Sequence, residues 1–394
     1  MSPLRNSLFL SSFLGLAPFT GAQTVHVVDD DGGAGVHFTQ ISDAVAAASS
    51  GDLILVRSGE YEGFGVDAKD LTIVEDTGHE ALLSSTVFVN HLAADQTVEL
   101  IGLGSANDGL GLGLSLSFNF GTVELDRLQA DATFGAALTI TDCSNVIVSQ
   151  CELSSDSLDG PTMKSNASAV VVYGTSIQGS KGFGWPLLRD GGDAVEITSG
   201  LAFFAGCTLT GGKGANGSDL GPIGCFNGTG GGDGVQMGGF NPSLTLRDTT
   251  VTAGAGGSNA GCGGGADGTD IANPVGTVTD LPGPSRGYDV PQVARAGELA
   301  PVSFSGEAGE LVLWLLSAGT APYFETLTAG YVIPSTPGLI NFGTLPESGT
   351  LEISFTIPDL PIDHLELYEQ AVYLTSAGWI ASEPRVSVLL DDAF

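Results

Sequence analysis

Basic residues are scarce in this chain. Lysine and arginine number 12 against 45 aspartates and glutamates in 394 residues, and only four of the 12 are lysine, so the formal charge is −33. A surface of that sign repels phosphate backbones, which excludes DNA and RNA as partners. It also disfavours anionic membranes and polyanionic sugars unless cations bridge the two. Charged residues of both signs make up just 14 percent, yet 42 percent are apolar, so the chain lacks the composition of a disordered protein. Beyond the N-terminal region no run of 18 apolar residues exists to span a bilayer as a helix. The five histidines, His26, His37, His79, His91 and His364, never pair with cysteine or histidine at a metal spacing, so no zinc centre is indicated. No Ser-His-Asp arrangement or phosphate loop can be argued from spacing either.

Glycine is abundant instead, at 59 residues, about twice ordinary usage. With so many turns available, the composition suits an all-β chain. The first 22 residues read as an export signal. Arg5 supplies the positive region, Leu8 to Ala17 the apolar core, and Thr20-Gly21-Ala22 a small-residue cleavage site. A mature chain from Gln23, secreted or held at the cell surface and without a transmembrane segment, is therefore expected. Disulfides are permitted there, and five cysteines leave at least one without an intramolecular partner.

A short phrase recurs from about residue 98 to residue 255. It runs Val98-x-Leu100-x-x-Leu103, Val123-x-Leu125-x-x-Leu128, Val146-x-Val148-x-x-Cys151, Val170-x-Val172-x-x-Thr175, Ala202-x-Phe204-x-x-Cys207 and Leu244-x-Leu246-x-x-Thr249. A period near 24 residues that lengthens only where glycine-rich inserts appear marks a solenoid. Each phrase alternates, which predicts a strand with one buried face, and the two-residue step before each marker predicts a bend within one coil. Stacked coils about 4.8 Å apart would align Leu100, Leu125, Val148, Val172, Phe204 and Leu246 in one apolar ladder. Cys151 and Cys207 would lie two coils apart, too far for a disulfide, and read as small buried hydrophobes. The pairing of Cys143 is left open.

Ahead of the repeat, Phe38 to Gly63 (FTQISDAVAAASSGDLILVRSGEYEG) predicts a small helix with Thr39 as N-cap and Gly51 at its end, then a buried strand and a Gly-x-Tyr turn. Asp29-Asp30-Asp31 reads as a solvated turn, with a cation site as the alternative. The helix would cover the open edge of the first coil. Together with the strand at Leu71 to Val74, this run resembles the opening of pectin-lyase-like right-handed parallel β-helix proteins. The resemblance spans roughly residues 25 to 280, and the β-helix is placed at 23–275. It implies coils of three short strands, and among enzymes of the class it implies action on sugar polymers. Hydrolysis there needs two carboxylates facing one groove, and lyase chemistry needs a base such as Lys or Arg. The methylesterase segments Gly-Tyr-Gln-Asp and Asp-Phe-Ile-Phe-Gly have no counterpart here.

Inserts concentrate in the later coils, at residues 180–193, 211–234 and 254–270, and should pile up on one side, where function usually sits. Asp190 and Asp193, joined by Asp142 and Asp233, are the candidate catalytic carboxylates, with Lys181 or Arg189 as base. Trp185 offers a stacking surface for a sugar ring, with Asp233 beside it as a ligand-binding candidate; alternatively its indole pins its own loop. Cys225 and Cys262 hold matching places one coil apart, which predicts a disulfide. Gly264 to Asp270 is similar to calcium nonapeptides but departs at one glycine and occurs once. Asp267 and Asp270 are accordingly the candidate Ca²⁺ ligands, against a plain polar loop.

Residues 276–295, with Pro282, Pro284 and Pro291, read as a linker. From 296 to 394, six or seven strands separated by Gly and Pro turns predict an antiparallel β-sandwich. The expected function is binding of extracellular glycan or a cell-surface component, or a structural or adhesive role. A polysaccharide lyase or glycoside hydrolase is the alternative.

Overall fold

The computed structural model describes residues 23–106, 111–156, 160–184, 186–219, 224–258, 261–325, 330–335, 337–359, 362–376 and 378–394. The protein is nearly all β. Three long parallel sheets, one of ten strands and two of eight, are visited in fixed rotation by successive stretches of chain. Thr97–Ile101, Gly104–Ser105 and Leu114–Ser117, for example, enter the first, second and third sheets in turn, and Thr122–Asp126 returns to the first. A single apolar cluster draws on all three sheets, from Val28 and Ile54 to Leu244 and Leu246.

The repeat phrase supplies the first sheet. Leu100, Leu125, Val148, Val172, Phe204 and Leu246 are paired in register, each with the next. The ladder then meets Asp280, paired with Leu246 on the outermost strand, Thr277–Leu281. A carboxylate at an inward position of an edge strand discourages further stacking. The step before each marker is a bend. Its second residue is left-handed in every coil: Gly102, Arg127, Gln150, Gly174, Gly206 and Asp248, with φ between 45° and 80°. Cys151 and Cys207 are buried free thiols, as is Cys143. Burial in the coil interior pushes the Cys151 and Cys207 thiols up to about 12, so they stay unreactive.

The helix is shorter than the pattern predicts. It spans Ile41–Ala47 and buries Ile41, Ala44 and Val45. Gln40, not Thr39, holds the N-cap position and makes no side-chain cap, and the helix ends four residues before Gly51. Its C-terminal carbonyls are met from outside, because the Lys69 ammonium donates to Val45 O and Ala48 O, both at 2.7 Å. A cation at that end also suits the helix dipole.

Two expectations need correction. Residues 276–295 are not a plain linker. They carry Thr277–Leu281 in the first parallel sheet, then Gly287–Asp289 and Val293–Arg295, which join the two larger C-terminal sheets. The prolines fall between those strands and punctuate them. Strands of the first sheet also have two buried faces, not one: all five residues of Asp52–Val56 and all five of Thr122–Asp126 are buried. The outer face is covered by C-terminal residues, with Val25, Val27, Leu53, Leu55, Val74 and Ile101 packed against Val293, Tyr368, Val386, Val388 and Leu390.

The C-terminal part forms a three-stranded antiparallel sheet, a five-stranded sheet and a short hairpin. All their pairings are antiparallel except that of Val293–Arg295 with Gly378–Leu390. Phe304 and Phe355 from the smaller sheet meet Trp314, Tyr373 and Phe342 from the larger in one aromatic cluster. Strands Thr320–Glu325 and Gly338–Thr344 escaped the sequence reading.

Candidate functional site

The three inserts leave between the second and third sheets and do pile together, but they are not loose loops. Extended segments run side by side and bond through their backbones. Gly192 N donates to Ser180 O, Gly212 N to Gly192 O, Gly232 N to Gly212 O, and Gly254 N to Gly232 O, each at 2.8 Å, before Gly268 N reaches Gly254 O at 2.9 Å. A second line runs through Thr229 N to Ala215 O, Gly257 N to Thr229 O and Gly265 N to Gly257 O, each at 2.9 Å.

Glycine is needed there for space, not for positive φ. A Cβ on Gly212 would lie 1.7 Å from Ser180 O, one on Gly257 1.7 Å from Ala215 O, and one on Gly265 1.7 Å from Thr229 O. This is the crowding found where extended three-fold chains pack at a collagen axis, where only hydrogen fits. The signal was present in the sequence as triplet spacing: Gly211, Gly214 and Gly217; Gly228, Gly231 and Gly234; Gly254 and Gly257; Gly265 and Gly268. Cys225 and Cys262 are joined by a disulfide with their Cα atoms 5.6 Å apart, tying two of these segments at their tips.

Five acidic residues of the lobe are occupied as acceptors between segments. Asp190 Oδ1 accepts from Gly230 N at 2.6 Å, Asp193 Oδ1 from Asp233 N at 2.7 Å, and Asp233 Oδ1 from Thr269 N at 2.7 Å. Asp267 and Asp270 do the same for Gly256 N and Ala253 N, both at 2.8 Å. The two calcium candidates therefore staple backbone. Among the described residues no three His, Cys, Asp or Glu side chains converge to hold a metal ion. Desolvation raises the Asp193 carboxyl, and neighbouring Asp233 and Glu196 add to it while the Asp233 amide opposes.

Arg189, Asp190 and Asp193 line one open pocket of about 320 Å³ together with Gly160, Ser180, Leu188, Gly191 and Gly192. Lys181 is exposed next to it in sequence. Asp233 belongs to the same lobe but does not line that pocket. Asp142 does not belong with them. It sits in a left-handed corner, φ 53°, at the end of Leu138–Thr141, where the chain leaves the third sheet for the first. Trp185 lies outside the described residues. The histidines are engaged elsewhere: His26 lies 3.2 Å from Asp52, His91 2.7 Å from Asp67, and His37 and His79 accept backbone amides. His364 is buried, and desolvation lowers its ring to about 4. The aspartate triplet behaves as a turn, with Asp29 Oδ1 accepting from Asp31 N and Asp30 Oδ2 from Glu60 N. No protein-family model matches the chain, and no curated protein matches it.

Proposed function

We propose that this is an exported right-handed parallel β-helix protein of the pectin-lyase-like kind, closed at its first coil by the helix Ile41–Ala47 and followed by a β-sandwich. Its glycine-packed lobe is the contact face for extracellular glycan or a cell-surface component, in a binding or structural role. The observation that carries this reading is the use of the lobe's acids. Asp190, Asp193, Asp233, Asp267 and Asp270 each accept a backbone amide from a neighbouring segment. Acids committed to holding a rigid face suit a binding platform better than a proton-transfer site. Export rests on the signal-like first 22 residues, and a neutral glycan suits the charge of −33.

A polysaccharide lyase or glycoside hydrolase is the second reading, favoured by the pocket that brings Arg189 together with Asp190 and Asp193. A glycan array run beside an activity screen on pectin, alginate and neutral glycans separates the two. Binding without turnover, weakened by Trp185→Ala, is the expected result. Turnover abolished by Asp190→Ala or Asp193→Ala would replace it with the second reading.

A further inference from the structure

The cover over the first parallel sheet is apolar at both ends and acidic in the middle. Val25, Leu53 and Val74 lie toward one end, and Val171, Tyr173, Phe203 and Ala205 toward the other, the latter group packed with Leu281 and Tyr331. Between them, outward from Thr97–Ile101 and Thr122–Asp126, stand Glu99, Glu124 and Asp126, at 1, 0 and 0 percent exposure. From the C-terminal strand His364–Thr375 come His364, Glu366 and Tyr368, and from Gly378–Leu390 come Glu383 and Arg385.

The available cations are spoken for. Arg385 Nη1 donates to Asp126 Oδ1 at 2.9 Å, and its Nη2 lies 3.0 Å from Glu383. Arg127 Nε donates to the other Asp126 oxygen at 3.0 Å. Glu99 receives the hydroxyls of Thr72 and Tyr368 but no cation. Both carboxylate oxygens of Glu124 are buried without a hydrogen-bond partner. Glu366, 20 percent exposed along its side chain, adds a further acid facing Glu99. An ionised glutamate in that place would be very costly, whereas a neutral acid is tolerable.

We propose that docking of the C-terminal strands on the first parallel sheet is coupled to proton uptake by Glu99 and Glu124, so that the interface closes in acid and loosens in alkali. The direction follows from linkage. Burial raises Glu99 to about 7 against the opposing Thr72 and Tyr368 hydroxyls, and raises Glu124 well above the usual carboxyl range, with Glu99 and Asp126 adding to the effect on Glu124 and Arg385 opposing it. Undocked glutamates ionise at about 4.3. The docked state therefore holds more protons than the undocked state above that pH, and docking weakens as pH rises. His364 works the other way, since it stays neutral when docked down to about 4, but it is largely neutral in both states above about 7.5. From about pH 6.5 to 8.5 the opposition from His364 fades within about one unit and Glu99 contributes only up to about 7, so the upper part of that window reports Glu124.

Ser149 gives the readout. It is fully buried under the cover, its Oγ donating to Pro384 O at 3.2 Å. In the full mature chain carrying Ser149→Cys, thiol labelling is followed across that window and corrected for thiolate fraction with a model peptide. Glu124 should raise the labelling rate about ten-fold per pH unit while it keeps its proton only when docked, and Glu124→Gln, which mimics the neutral acid, should flatten that rise; Glu99→Gln should remove the part of the rise below about pH 7. A corrected rate that does not rise in the parent overturns the proposal whatever the variants do. A rise that persists unchanged in both glutamine variants overturns it as well.

Discussion

Coils around residues 97–155 add a stacked side-chain core to their backbone ladders, whereas the lobe, residues 180–193, 211–234 and 254–270, is held mainly by backbone. In the first region Val98, Leu100, Val123, Leu125, Val146 and Val148 stack in the coil interior, fully buried. In the second, segments bond amide to carbonyl through glycine, and side chains such as Asp190, Asp193 and Asp233 are added as staples. An apolar ladder tolerates exchange of one hydrophobe for another of similar volume, because burial is non-directional. A glycine-packed lobe tolerates almost no added atom, because its spacing is set by backbone contact. The difference shows why a region rich in glycine can be rigid.

The largest break in that comparison should come from the ladder. Leu125→Ala opens a cavity between Leu100 and Val148 and should cost about 4 kcal/mol, read as a lower urea midpoint for the whole chain. Gly212→Ala is expected to cost about 3 kcal/mol although it adds one methyl, since the Cβ would collide with Ser180 O. Hydrogen exchange should place that damage in residues 180–193, 211–234 and 254–270 and leave the earlier coils protected. Removing the disulfide with Cys225→Ser and Cys262→Ser should cost about 2 kcal/mol, again confined to the lobe by hydrogen exchange, because the backbone bonds remain. Asp193→Ala leaves the Asp233 amide short of its acceptor and should lower stability by about 1 kcal/mol in thermal unfolding. A rise in stability with loss of a turnover activity would mark Asp193 as a strained catalytic group instead. The smallest effect belongs to Gly65→Ala, where a Cβ meets nothing within 4 Å and φ is not positive; it should stabilise by about 0.5 kcal/mol. The two alanines differ only in what surrounds them.

The coil was legible because its signals are local. Alternation marks the inward residues, and the markers Leu103 to Thr249 report the bend that follows each first-sheet strand. The same register keeps Cys151 and Cys207 apart, both buried and unpaired. The lobe was half legible. Its position followed from the lengthening period, but its close packing rests on glycine triplets that no apolar alternation marks. Grouping Asp142 with Asp190 failed because sequence counts carboxylates without saying which corner of a coil each one occupies.

By itself the sequence determined the coil period, the inward ladder and the side on which the inserts emerge, since each follows from residues within one or two turns of chain. Only the tertiary structure decided the fate of the outward row. Glu99, Glu124 and Asp126 look like solvated positions of a half-buried strand, yet they are covered by residues far along the chain: Tyr368 stands 269 positions from Glu99, and Arg385 259 from Asp126. Alternation records which face a side chain takes. What lies opposite that face is set by packing between distant segments, and here that packing turns three ordinary acids into buried ones.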